Sequence, residues 1–189
     1  MTTKAMPSSQ QRLLEAAARL TYQDGVNIGV DALCKAAGVS KRSMYKLFES
    51  KEKLLAASLE ERASAYDESL LPAPDDDRPP RERILHVFER AEAQAGEPDF
   101  QGCRYLVAQI ELKNPDHPAS RVAHRVKANI TDFFRAEAER GGARDPELLA
   151  RQLILVFDGA SARAGIKADT QGGLIAPTVA TLLDAAGVR

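Results

Sequence analysis

Large apolar residues recur three and four positions apart along most of this chain, which places them on one face of an α-helix. No segment shows the alternation of apolar and polar residues that is typical of a half-buried strand. Serine, glycine and proline interrupt the pattern and predict an all-α protein of about nine helices. The predicted helices run from Ser8 to near Gly25, Val30–Ala37, Ser40 to Phe48, Lys51 to about Leu70, Arg81–Ala95, Gly102–Lys113, Ala119–Arg140, Pro146–Gly165 and about Gly173–Ala186.

The stretch Val30–Leu55 reads VDALCKAAGVSKRSMYKLFESKEKLL and predicts two short helices joined by a tight turn. The apolar residues that share one face of the first helix are Val30, Leu33, Cys34 and Ala37. Gly38 ends this helix because glycine adopts the left-handed conformation at little cost, and Val39 fills the corner. Ser40 follows and is expected to cap the next helix through its hydroxyl.

The second helix of this stretch is predicted to turn Met44, Tyr45 and Phe48 towards its own domain. The side chains left for contact with another molecule are Lys41, Arg42, Ser43, Lys46 and Leu47. Most of these groups bind phosphates and base edges, and a helix presented in this way enters the major groove in helix-turn-helix proteins. The stretch therefore indicates DNA binding. The alternative is a small helical hairpin whose charges are merely solvated.

With the amphipathic helix before it, AGVSKRSMYKLFESKEKLL resembles the DNA-binding domain of the TetR family of bacterial transcriptional regulators. The AGVS turn, the Tyr45 and Phe48 pair and the SKEKLL helix start fall at the spacing of the family. The resemblance implies an N-terminal three-helix domain at residues 1–53 that binds operator DNA, followed by an effector-binding and dimerisation domain at residues 54–189. The DNA-contacting residues predicted in this way are Gly29, Val30, Ser40, Lys41, Arg42, Ser43, Tyr45, Lys46, Leu47 and Lys51.

Two positions depart from the pattern of the family. Gly29 stands where the family usually has threonine or serine, so a contact between a hydroxyl and a phosphate is expected to be missing there. Leu47 occupies a position that is often histidine or tyrosine, which removes a further contact to the DNA backbone.

The charge distribution agrees with DNA binding through one part of the chain. Residues 1–53 hold nine Lys or Arg against five Asp or Glu, a net charge of +4, so the total of −1 leaves −5 for the rest. A basic segment beside an acidic remainder suits DNA binding by that segment alone. No run of about 18 apolar residues predicts a membrane span, and no apolar stretch follows the first lysine as in a signal peptide. A cytoplasmic location is expected.

The helix Pro146–Gly165 contains LILVF at Leu153–Phe157, which is apolar on all sides. Such a helix must be covered on both sides, either by a second copy or at the centre of a monomer. The TetR resemblance implies a homodimer formed by the last two helices of each copy. The predicted interface residues are Leu149, Leu153, Val156, Phe157, Ala160, Val179, Leu182 and Leu183.

The region between the DNA-binding domain and the last two helices is expected to bind a small, mostly apolar effector. The predicted pocket residues are Tyr66, Phe88, Cys103, Tyr105, Leu106, Gln109, Ile110, Asn129 and Phe133. Asn129 shares a predicted helix face with Val122 and Val126, so its amide either orients the ligand or hydrogen-bonds a neighbouring helix. Cys103 near Arg104 either packs or acts as a thiol sensor.

The sequence contains no motif of an enzyme active site. It lacks Gly-x-Ser-x-Gly, a glycine-rich phosphate loop and His-Glu-x-x-His. His86, His117 and His124 are scattered, so neither a metal nor another cofactor is expected. The chain is therefore predicted to be a ligand-responsive repressor that binds an inverted-repeat operator. The alternative is a helical small-molecule-binding or protein-interaction module without sequence-specific DNA binding.

Overall fold

The computed structural model describes residues 7–168 and 173–189, and within these ranges all regular structure is helical. The helices are α1 (Ser9–Asp24), α2 (Val30–Ala37), α3 (Lys41–Phe48), α4 (Lys51–Glu60), α5 (Ala63–Leu70), α6 (Pro80–Ala95), α7 (Arg104–Leu112), α8 (Pro118–Arg140), α9 (Pro146–Gly165) and α10 (Ile175–Ala186). The predicted all-α class is confirmed. Among the described helices, none is long and apolar enough to cross a membrane.

Serine hydroxyls cap α1, α3 and α4, and the sequence predicts the cap of α3 by Ser40. Ser8, Ser40 and Ser50 each accept a hydrogen bond from the backbone N–H three residues later, at 3.1, 3.1 and 3.2 Å. These bonds satisfy N–H groups that have no partner within the helix. Gly38 ends α2 in the left-handed conformation, with φ 62°. The turn between α2 and α3 therefore follows from local sequence.

The predicted helix from Lys51 to Leu70 is divided into α4 and α5 by a turn at residues 61–62. The Arg62 N–H bonds to the Leu59 carbonyl at 3.2 Å, which tightens the chain at the end of α4. Pro177 lies in the first turn of α10 because that helix begins only at Ile175. Proline is tolerated there, since the N–H groups of a first turn have no helical partner.

The chain packs into two compact units. The first comprises the residues up to Ala63 together with Ala108–His124. In this unit α1 packs against α2 and α4. Its fully buried apolar side chains include Leu13, Leu33, Met44 and Leu54. The predicted domain boundary between residues 53 and 54 falls inside α4, which belongs entirely to this unit.

The second unit comprises Ser64–Val107 and Arg125–Arg189. Its core lies between α6, α9 and α10, with residues of α8 also buried in it. Phe88 stacks on Phe134 at a ring-centroid distance of 5.5 Å and meets the Phe157 ring edge-on at 6.3 Å. Offset and edge-to-face arrangements of this kind are the favoured geometries of aromatic pairs.

Candidate DNA-binding interface and effector region

The helix α3 presents an apolar side to the first unit and a basic side to solvent. Met44 is 0% exposed and Phe48 is 8% exposed. Arg42 and Lys46 are exposed and lie on the opposite side of the helix, since successive residues are rotated by about 100°. The helix is thus held by two core residues while two cations point outward.

Tyr45 lies on a flank of α3 rather than in the core, and its side chain is 48% exposed. The prediction that Tyr45 faces its own domain is wrong, because a rotation of about 100° from Met44 carries it past the buried stripe. Leu47 lies on the other flank and is 44% exposed. Tyr45 and Leu47 therefore frame the basic side of the helix.

Two cations of this region are paired with acids. The Lys41 ammonium lies 2.6 Å from the Asp31 carboxylate, and Lys53 pairs with Glu49. The hydrogen bond to Asp31 raises the pKa of Lys41. Within residues 7–168 and 173–189, no ion pair is formed by Arg42, Lys46 or Lys51. Cations without an acidic partner are the ones available to phosphates and bases.

The other predicted DNA contacts lie at the helix starts of the first unit. Gly29 is exposed and provides no side-chain cap for α2, as the sequence predicts. Val30 and Lys51 are half-buried at the first positions of α2 and α4. The Ser40 and Ser43 hydroxyls are 2.9 Å apart at the start of α3. Backbone N–H groups at helix starts are common phosphate ligands.

Five of the predicted dimer-interface residues are taken up by the core of the second unit. Their exposed fractions are at most 3%. They are Leu149, Leu153, Phe157, Val179 and Leu183. The prediction that they contact a second copy is wrong, because the sequence does not reveal which side of the LILVF helix meets the subunit core. Val156, Ala160 and Leu182 are half-buried at the edge of this core.

The opposite side of α9 carries two exposed leucines. Leu148 is 50% exposed and Leu155 is 72% exposed, and these residues lie two turns apart on one face. Leu174, beside the start of α10, is 63% exposed. Large exposed apolar side chains in one region mark interaction surfaces. LILVF is therefore covered on one side by the core and uncovered on the other.

Three of the predicted pocket residues lie together in the second unit. The Tyr66 hydroxyl is 3.0 Å from the Cys103 sulfur, and the rings of Tyr66 and Tyr105 are 4.9 Å apart. Burial, followed by the neighbouring Cys103, holds the pKa of the Tyr66 hydroxyl well above its usual range. Cys103 is only 4% exposed, and its N–H donates to the Ser161 hydroxyl at 2.7 Å. This burial favours a packing role for the thiol.

The remaining predicted pocket residues do not join this group. Phe88 is fully packed in the core of the second unit, and Phe133 is half-buried against that core. Leu106 is half-buried, whereas Gln109 and Ile110 belong to the first unit. Ile110, predicted as a pocket residue, is 54% exposed. The buried residues of α7 are Tyr105 and Ala108.

Asn129 is exposed on α8, and its amide donates to a carboxylate oxygen of Asp67 at 3.1 Å. The prediction that it sits in the apolar face of its helix is wrong. The buried stripe of α8 contains Val126, Ile130 and Phe134, and its centre lies about 110° from Asn129 around the helix. Val122, from which the predicted face was measured, is only half-buried at the edge of the stripe.

The second unit contains two ion pairs with buried cations that the sequence does not predict. Lys127 pairs with Asp158 and lies 4.4 Å from the centre of the Phe157 ring. Arg83 donates to Glu137 at 3.0 Å, and both side chains are less than 10% exposed. Each cation shares a face with apolar residues of its helix, which is the only signal in the sequence that its charge is buried.

A model of a known protein family matches part of the first unit. The family described as bacterial regulatory proteins, tetR family, matches residues 13–58. An uncharacterised HTH-type transcriptional regulator of Mycobacterium tuberculosis is 35% identical over 75 residues. That match covers 39% of this chain and spans only 37% of the length of the relative.

Solved structures match nearly the whole chain. A TetR transcriptional regulator from Streptomyces avermitilis is 72% identical, with a TM-score of 0.95, over 97% of this chain and 100% of that chain. A TetR-family regulator from Streptomyces coelicolor is 23% identical, covers 95% and 96% of the two chains, and shares the fold with a TM-score of 0.75. The reduced form of Escherichia coli NemR, 22% identical over 93% and 95% of the two chains, also shares it, with a TM-score of 0.77. The chain belongs to the TetR family of bacterial transcriptional regulators.

Proposed function

We propose that this regulator is a cytoplasmic repressor that binds an inverted-repeat operator as a homodimer and is released by a small effector. The observation that carries the proposal is the outer side of α3. Arg42 and Lys46 point away from the buried Met44 and Phe48, and neither has an acidic partner in the described part of the chain. A rigid helix that presents free cations on one side has the form needed to enter the major groove.

The roles of individual residues follow from their chemistry. Arg42 carries the fork of donors that reads guanine, whereas Lys46 binds phosphate as a point charge. The exposed Tyr45 is placed to donate its hydroxyl to a phosphate. Leu47 offers an apolar contact to a thymine methyl group. The proposed backbone contacts are Gly29, Val30, Ser40, Ser43 and Lys51, with a weaker contact from Lys41, whose charge is paired with Asp31.

The proposed dimer forms through the sides of α9 and α10 that face away from the core of the second unit. Leu148 and Leu155 would pack against the same helices of a second copy, with Val156, Ala160 and Leu182 at the edges of the contact. Twofold symmetry is required because two recognition helices must reach half-sites about 34–36 Å apart, one turn of the duplex.

The proposed effector is a small, mostly apolar molecule that binds in the second unit near Tyr66, Cys103 and Tyr105. These side chains offer two aromatic rings, two hydroxyls and one thiol, which suits a mostly apolar ligand with few polar groups. If the effector weakens operator binding by some factor, operator DNA must weaken effector binding by that same factor. An effector found by thermal shift and titrated with and without operator duplex tests this reciprocity.

A gel shift with duplex DNA from the promoter region of the gene itself, followed by footprinting, tests the proposed function. We expect a saturable complex and two protected segments related by a twofold axis, with centres about ten base pairs apart or a multiple of this. Binding that is equally strong for promoter DNA and for unrelated duplex of the same length would contradict sequence-specific regulation.

A further inference from the structure

The acid Asp31 lies in the first turn of α2 and reaches across the helix-turn-helix corner to α3. Its carboxylate is 2.6 Å from the Lys41 ammonium, at the first residue of α3. The side chains of Lys41 and Asp31 are 53% and 80% exposed. The pair therefore stands in solvent, on the helix that carries Arg42 and Lys46.

The corner between α2 and α3 does not depend on this ion pair. Gly38 supplies the left-handed turn, the Val39 N–H bonds to the Cys34 carbonyl at 3.0 Å, and Ser40 caps α3. Exposed ion pairs contribute little to folding. The main effect of Asp31 is therefore on the charge that Lys41 offers to another molecule.

A phosphate that approaches Lys41 also approaches the carboxylate of Asp31. The attraction of one charge and the repulsion of the other largely cancel, so little is gained from the release of counterions at that phosphate. Arg42 and Lys46 have no such acid beside them in the described residues. The second paired lysine, Lys53, is bound to Glu49 and lies outside α3.

We propose that Asp31 sets the strength of DNA binding, because by neutralising Lys41 it weakens the binding of this regulator to duplex DNA of any sequence. The inference rests on the proposed DNA-binding function. Phosphate contacts are made to operator and to arbitrary duplex alike and carry no sequence information. Removing one effective phosphate contact from each half of the dimer therefore lowers the affinity for both kinds of duplex by about the same factor.

The test compares Asp31→Asn with wild type by fluorescence anisotropy on a random-sequence duplex of about 30 base pairs, at about 50–300 mM KCl. Asn keeps the shape of the side chain and removes its charge. We expect affinity at about 100 mM salt to rise about three- to tenfold and the salt slope to steepen by about two, one contact per half of the dimer. Affinity for the operator duplex should rise by about the same factor, so the ratio of operator to random binding stays unchanged.

Two further variants separate this effect from a general change in charge. Glu15→Gln removes one acid from an exposed position on α1 and serves as the matched control. In a Lys41→Ala background, Asp31→Asn should raise random-duplex affinity by a clearly smaller factor than in the wild-type background, because no lysine is left to be freed. Thermal melting of each variant verifies folding, and Asp31→Ser should reproduce the result of Asp31→Asn.

Three outcomes would overturn the inference. Asp31→Asn and Glu15→Gln could have equal effects, the gain could be as large without Lys41 as with it, or random-duplex affinity could fall. The proposed function fails by a different result, namely that wild type shows no preference for promoter DNA in the gel shift. The two failures are thus distinguishable.

Discussion

Placing a charge at Leu155 is predicted to prevent dimerisation without unfolding the subunit. Leu155 is 72% exposed and stands on the side of α9 opposite the buried Leu153 and Phe157. Full burial of a leucine side chain contributes about 1.5–3 kcal/mol, and about three-quarters of that remains to be gained here. Because twofold symmetry counts the contact twice, Leu155 contributes about 2–4 kcal/mol to the dimer.

Leu155→Asp removes this contribution and also brings two carboxylates together near the symmetry axis. We therefore expect the dissociation constant of the dimer to rise at least about 30-fold, the change that about 2 kcal/mol produces. Sedimentation velocity over a range of protein concentrations measures the shift. Ile110→Asp makes the same chemical change at an exposed apolar residue of α7 and should leave the dimer intact.

Operator binding should be lost together with the dimer, because the DNA-binding helices of a single subunit reach only one half-site. Circular dichroism should show unchanged helix content and thermal stability in the monomer. A Leu155→Asp protein that sediments as a dimer over the whole concentration range would refute the proposed interface, whatever happened to DNA binding.

Three further predictions concern stability. Glu137→Leu removes the carboxylate to which the buried Arg83 donates and should lower the free energy of unfolding in urea by about 3–5 kcal/mol. Adding Arg83→Met to this variant should restore part of the loss. An equal loss in the single and the double variant would refute the pairing. Burial raises the pKa of Asp67, so its folded form binds a proton more tightly than its unfolded form, and its charge destabilises the fold above that pKa. Asp67→Asn should raise the Tm at pH 7 by about 1–3 °C, with the gain absent below about pH 4; a gain that is constant with pH would contradict this. Gly38→Ala should lower the free energy of unfolding by about 1–2 kcal/mol, because φ of 62° is a strained conformation for alanine. A steric clash is not the cause, since the added Cβ would have no neighbour within 4 Å. An unchanged Tm would contradict this strain.

The first unit could be predicted closely because its structure is determined by local signals. Ser40 and Gly38 fix the ends of α2 and α3 through hydrogen bonds and backbone conformation within a few residues. The predicted orientation of Tyr45 is wrong because α3 has only eight residues. Over that length the two buried residues, Met44 and Phe48, define the inward side. Aromatic character alone suggested burial, whereas the geometry of the helix exposes the ring.

The second unit was harder to predict because its side chains are placed by contacts between distant residues. Leu153 and Leu155 look equivalent in the sequence, and only the packing of α6 and α10 decides which of them is buried. The sequence predicts Asn129 in the apolar face when Val122 is used as the centre of that face, although the true stripe passes through Ile130. Long-range pairs such as that of Lys127 with Asp158 leave no local signal.

The central claim is that the outer side of α3 binds DNA, and the salt dependence of promoter binding tests it most directly. We predict that Arg42→Ala with Lys46→Ala abolishes preference for the promoter duplex and reduces the salt slope of the dimer by about two to four. Arg19→Ala with Lys35→Ala removes the same charge from α1 and α2 and should change the slope by less than about one. If the α3 variant keeps wild-type promoter affinity and salt slope, the proposed DNA-binding surface is wrong.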